Sequence, residues 1–157
     1  MKTLVTRIKT TLQGDATLST YVQSSSVQVV SPDLLPDISD TILPFVGIAP
    51  VATGEAWRST GIMDVTHTVR IYIVQQLEVY ETAFLGDTTK PSIFELLDYV
   101  KDAVRAKFFA SGGQNYLSKP SIISNVRYTT SPYGDNIYLL VGAVDLVCIR
   151  QITVTTS

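Results

Sequence analysis

A chain of 157 residues, 45 % of them hydrophobic and without any long polar or low-complexity tract, has the size and apolar content of one domain with its own core. Its formal charge of -2 and its twelve scattered basic residues exclude the electrostatic footprint of a protein that grips nucleic acid by the phosphates. The single cysteine, Cys148, excludes an internal disulfide, and between Val147 and Ile149 it reads as a small buried hydrophobe rather than a reactive thiol.

In chain order, Leu4, Val5, Ile8 and Leu12 recur at helical spacing and predict a first helix, which Gly14 and Asp15 break. Arg7 and Lys9 interrupt the apolar run a secretory signal would need, and the longest later run, residues 137–149, holds Asp145. Neither a leader nor a membrane span is expected, so synthesis in a cytoplasm is. A shorter apolar turn around Leu18, Tyr21 and Val22 precedes a serine run and a short strand over residues 27–30. Residues 31–40, SPDLLPDISD, are loop chemistry. The spacing of Asp33, Asp37 and Asp40 lacks the alternating ligands and central glycine of a calcium loop, so no metal is expected.

Residues 42–51, ILPFVGIAPV, form a strand candidate punctuated by Pro44 and Pro50. Residues 65–79 are stronger: Val65, His67, Val69, Ile71 and Ile73 alternate with Thr66, Thr68, Arg70, Tyr72 and Val74, the period of a long strand with one buried face. The two segments are expected to pair as an antiparallel hairpin. Between them, residues 52–64 read as a polar, glycine-containing loop projecting from the hairpin, with Trp57 and Arg58 near its middle. A tryptophan there either folds back into the core or is offered to a partner, since aromatics and arginine are the usual interface anchors.

Residues 77–90 hold Tyr80, Phe84 and Leu85 and are too apolar for a free linker. The best-marked helix follows over residues 92–109. Ile93, Leu96, Leu97, Val100, Val104 and Phe108 share one face, Ser92 and Glu95 make a capping box, and Gly112 with Gly113 offers an exit. Glu95, Asp98, Lys101, Asp102 and Arg105 read as its solvated side. Residues 114–120 are turn-like, residues 122–130 a strand, and SPYGDN over 131–136 a turn into the strand of residues 137–149. That last strand, IYLLVGAVDLVCI, is apolar on both faces. One face is expected to cover the helices; the other is either deep in the sheet or covered by a neighbouring subunit. Tyr138, Leu140, Val144 and Leu146 therefore join Trp57 and Arg58 as interface candidates. The tail, residues 151–157, is uncharged and β-prone, fit to extend the strand or to add to another chain. The expected fold is a single α+β domain over residues 1–157. It has a mixed, mainly antiparallel sheet from two β-hairpins, with the N-terminal helix and a long central helix packed on it.

Catalytic constellations do not emerge. The one histidine, His67, falls on the face of Val65 and Val69, where a structural role is favoured. Phosphate-cradling glycine patterns are missing, and no sequence spacing pairs a nucleophile with a base. No enzyme activity and no cofactor are expected.

The opening helix followed by LQGDATLSTYV, the strand LPFVGIAP, the long strand VTHTVRIYIV, the helix SIFELLDYVKDAVRAKFF and the closing β pair around Tyr128 and Tyr138 together resemble the bacteriophage tail terminator and tail-completion family. The resemblance covers most of the chain. It implies a mixed sheet flanked by helices and a six-fold ring at the head-proximal end of the tail. Such a ring ends polymerisation of the tail tube, meets the neck or head-completion proteins, and lets DNA pass through its lumen without specific binding. Few basic residues suit a channel that must not hold DNA. Two alternatives stand beside it: another phage neck or tail ring or adaptor, and, from a different class, a monomeric cytoplasmic ligand-binding or enzymatic domain.

Overall fold

The computed structural model describes residues 1–31, 43–77, 85–86, 89–132 and 138–154. The acidic segment around Asp33, Asp37 and Asp40, Tyr80 and Phe84, residues 133–137, where the sequence predicts most of a turn, and residues 155–157 lie outside the described residues. The fold is α+β. Two helices, α1 (Lys2–Gln13) and α2 (Ile93–Val104), accompany strands β1 (Val27–Val29), β2 (Phe45–Ser59), β3 (Ile62–Leu77), β4 (Ile122–Pro132) and β5 (Tyr138–Thr153). The strands make one mixed sheet in the order β1-β2-β3-β5-β4. Only β1 runs parallel to its neighbour; the β2/β3, β3/β5 and β5/β4 pairs are antiparallel.

Both helices lie on one face of this sheet. Leu4, Val5, Ile8 and Leu12 of α1 and Ile93, Leu96, Leu97, Val100 and Val104 of α2 bury their side chains against Val46, Ile48, Val69, Ile71, Ile73, Leu140, Val144 and Leu146. The helical period of three and four in α1 and α2 and the period of two in β3 and β5 meet here, each segment supplying the face its pattern dictates. The helix α2 packs closely over Gly142: a Cβ at that position would stand in contact with Leu97 Cδ1 at 3.4 Å and Ile93 Cγ1 at 3.5 Å.

The helix α2 starts where its capping box starts: Glu95 N–H donates to Ser92 Oγ at 3.1 Å, and Ser92 N–H donates to Glu95 Oε2 at 2.7 Å. It is shorter than the residues 92–109 expected from the sequence. After Val104 the chain turns extended at Arg105 and then left-handed at Ala106, φ 54°. Ser121 takes over there: its Oγ donates to Val104 O at 2.5 Å and accepts from Lys107 N–H at 3.0 Å, and its backbone bonds Ala106 and Lys107. The helix end is thus satisfied by a residue far along the chain rather than by another helical turn. In consequence Phe109, not Phe108, is the phenylalanine that reaches the core.

A second difference concerns residues 52–64. They are not a loop. β2 continues to Ser59 and β3 begins at Ile62, paired from Ala52↔Thr68 to Ser59↔Ile62 with a bulge at each end. Only Thr60 and Gly61, at φ 77°, form the turn. β5 follows β3 along this extension, from Thr66↔Ile149 to Ile62↔Thr153. The result is a three-stranded arm running beyond the helices, into which part of the β-prone tail has been drawn.

Candidate interaction surface

Every residue of β2 from Val51 to Ser59 is exposed, on both faces of the strand. A strand pairs its backbone and half-buries its side chains when it belongs to a packed layer; nine consecutive exposed residues mean that the arm has no layer over either face at that edge. Trp57 is 62 % exposed there, which decides between core and surface: the ring points outward. Arg58 is exposed beside it.

Rows of paired residues cross the arm, and the members of one row share a face. One row is Glu55, Val65 and Arg150; the next is Trp57, Met63 and Ile152. Glu55 and Arg150 are both exposed, and neither has an opposite charge at hand among the described residues. The Arg150 guanidinium lies over the Tyr116 ring at 4.8 Å, with Arg7 at 5.1 Å from the same ring, so that edge gathers positive charge. On the other face the row is Ala56, Asp64 and Gln151, and Asp64 Oδ1 is enclosed without a hydrogen-bond partner among the described residues.

The strand candidates fall elsewhere. Leu140 is 1 % exposed and Val144 and Leu146 are fully buried under the helices, so they are core and not interface residues. The physical reason is their shared parity with Gly142, the residue on which α2 seats. For Tyr138 only the backbone is described, paired with Leu77 and Pro132. The opposite face of β5 buries Leu139 and Val141 with Phe45 and Val74 in a second, smaller cluster. Farther along that face stands Asp145, and here lies the group that the sequence analysis passed over. Arg70 donates to it twice, Nε to Oδ1 at 2.6 Å and Nη2 to Oδ2 at 3.0 Å, while Arg127 Nη2 donates to Oδ2 at 2.7 Å. These guanidiniums hold the Asp145 carboxyl below the usual carboxylate range. A lone acid in the run of β5 and a lone arginine in the run of β3 were the available signal, and Arg70↔Asp145 is a direct cross-strand pair.

No family model matches the chain, and no curated protein matches it. Chemistry must therefore be sought in the geometry. His67 is buried, its Nδ1 lies 3.0 Å from Thr53 Oγ1, and burial lowers its pKa. Cys148 is fully buried and its thiol is pushed up to about 12 by desolvation, far from the thiolate a nucleophile needs. The two stand opposite each other on neighbouring strands, with no hydrogen bond between them. Among the described residues no group of three His, Cys, Asp or Glu side chains is placed to hold a metal ion. Nor is any described helix long and apolar enough to cross a membrane. An open cleft of about 460 Å³ lies between Tyr21, Pro44, Gln75 and Pro91, where Gln75 Nε2 donates to Pro91 O at 3.2 Å. It contains no histidine, cysteine or carboxylate among its described lining residues.

Proposed function

We propose that the chain is a structural subunit of a bacteriophage tail, a terminator that closes into a six-fold ring on the head-proximal end of the tail tube. The ring stops addition of tube subunits, joins the tail to a neck or head-completion protein, and encloses a lumen through which DNA passes unheld. It is made in the bacterial cytoplasm and ends at the junction of tail and neck. The task is packing, with no cofactor and no catalysed reaction. The observation that carries this reading is the arm, a length of sheet exposed on both faces at its β2 edge, with Trp57 outward. A chain that folds for its own sake covers such a surface; a chain built for assembly leaves it for a partner. The element order supports the same reading, since a mixed sheet accompanied by helices is what the resemblance implies.

Termination is specificity by omission, since one ring face must match the tube while the other denies the tube's own subunits a place to add. The test is particle mass in solution over a range of concentrations, alone and with purified tail tubes, together with negative-stain images. Six-fold rings with a central hole, free or on tube ends, are expected. A monomer under every one of these conditions rejects the proposal and favours the monomeric binding domain, whose site would be the cleft at Gln75. Rings that bind neck components but not tubes place the chain in another ring of the neck.

A further inference from the structure

The arm has two free backbone edges, and they complement each other. On the outer side of β2, β1 reaches only Val46, Gly47 and Ile48, so residues 51–59 have no outer neighbour among the described residues. On the outer side of β5, the β4 ladder begins at Ile122↔Val147, and Ser118 occupies Ile149 O through its N–H at 3.0 Å and its Oγ at 3.1 Å. Beyond that, residues 150–153 of β5 are free on that side among the described residues. Between residues 51 and 59 this edge holds neither proline nor lysine; the bulges at Pro50/Ala52 and Trp57/Ser59 bound it and Glu55 and Arg58 are its charges, which leaves residues 52–57 in regular pairing with β3 and open on the other side.

We infer that the joint between copies is made by these two edges, the β2 edge of one copy adding to the β5 edge of the next. This rests on the ring reading and names its contact. β2 and β5 are both antiparallel to β3, hence parallel to each other, and a rotation about a ring axis keeps the direction of strands set along that axis, as the joint requires of the arm. The new pair is therefore a parallel one, and it continues each arm into its neighbour's. At the level of the row Glu55, Val65, Arg150, the Arg150 of one copy, which lies over Tyr116 and has no carboxylate partner among the described residues, meets the Glu55 of the next. One row on, Ile152 meets the exposed Trp57. Charge meets opposite charge and apolar meets apolar in a single register. Because the two edges differ, the contact is head-to-tail, the kind that closes into a ring when the rotation between copies permits, and it pairs residues 55–59 of β2 with residues 150–153 of β5. A two-fold pairing of β2 with β2 would set Glu55 and Arg150 to no use.

Within one copy Glu55 and Arg150 are separated by the whole of β3, roughly 10 Å at two strand spacings, beyond the reach of a disulfide. The double variant Glu55→Cys with Arg150→Cys can thus form disulfides only between copies, and Cys148, buried, stays out of the exchange. Mild oxidation, run on a non-reducing gel, is expected to give a ladder of covalent oligomers up to a closed ring. An equimolar mixture of the two single variants is expected to stop at dimers. Glu55→Cys alone giving dimers would show two-fold pairing and overturn the joint. No cross-link in a sample whose particle mass is oligomeric would also overturn it while leaving the ring, held by another surface. No cross-link and a monomeric mass, also with tail tubes present, would remove the joint and the ring together.

Discussion

Arg70 and Asp145 face each other directly across β3 and β5 and are joined by two hydrogen bonds, on the side of the sheet away from the helices. Asp145 is 7 % exposed, a charge nearly taken out of water in the centre of the sheet. Replacing it by Ala leaves two guanidiniums facing a wall of Val141 and Ala143 without a carboxylate. The expected loss on Asp145→Ala is roughly 1.5–3 kcal/mol in urea unfolding, the range of a hydrogen bond to a charged group. Arg127→Ala, which removes the half-exposed partner, is expected to cost at most about 1 kcal/mol. Since the folded carboxyl titrates below its usual 3.8, the contribution is fully present above that pH and is lost as the pH falls below it.

His67 titrates in the other direction from a stabilised cation. Burial depresses its pKa from 6.5, so below that pH the unfolded chain takes up a proton that the folded chain resists. Stability therefore rises with pH through this window and falls as the solution is acidified below 6.5. Melting curves between pH 7.5 and 5.5 are expected to show a declining midpoint. His67→Gln is expected to flatten that slope, whatever it does to the midpoint itself.

The Ser121 hydroxyl ties the end of α2 to the start of β4, with Val104 O and Lys107 N–H as its partners. Ser121→Ala leaves the buried Val104 O and the partly buried Lys107 N–H without that partner and is expected to cost about 1–3 kcal/mol. The check is the denaturation midpoint. Ser118→Ala, an exposed neighbour, serves as control and is expected to change it by no more than about 0.5 kcal/mol.

Trp57→Ala removes a side chain that covers no core residue. Thermal stability is expected to stay within about 0.5 kcal/mol of the parent, while assembly or tube binding weakens. A loss of many degrees in melting temperature would return Trp57 to the core.

How much of this the sequence disclosed depends on how local the determining interaction is. The start of α2 was legible because Ser92 and Glu95 settle it between themselves, three residues apart. Its end was not, because Ser121 decides it from another part of the chain. The arm was read as a loop since a strand exposed on both faces has no apolar alternation to find, and TGEAWRST offers none. In β5 both parities are apolar, so Leu140, Val144 and Leu146 could be assigned to either face. Gly142 on one parity and Asp145 on the other were the marks that separate them, one giving room to α2 and the other needing Arg70. Trp57 needed no such partner to be noticed, and its exposure follows from the arm that the polar segment turned out to be.

The position of β5 has a bearing on biogenesis. It follows every other described strand in the chain, yet it lies inside the sheet, between β3 and β4, and carries the surface on which α2 rests. Until it emerges from the ribosome, β3 lacks its inner neighbour, β4 has nothing to pair with, and the helical layer has no complete floor. The sheet can thus be completed only after β5 has been made, and its assembly is governed by distant pairings rather than by stepwise local growth.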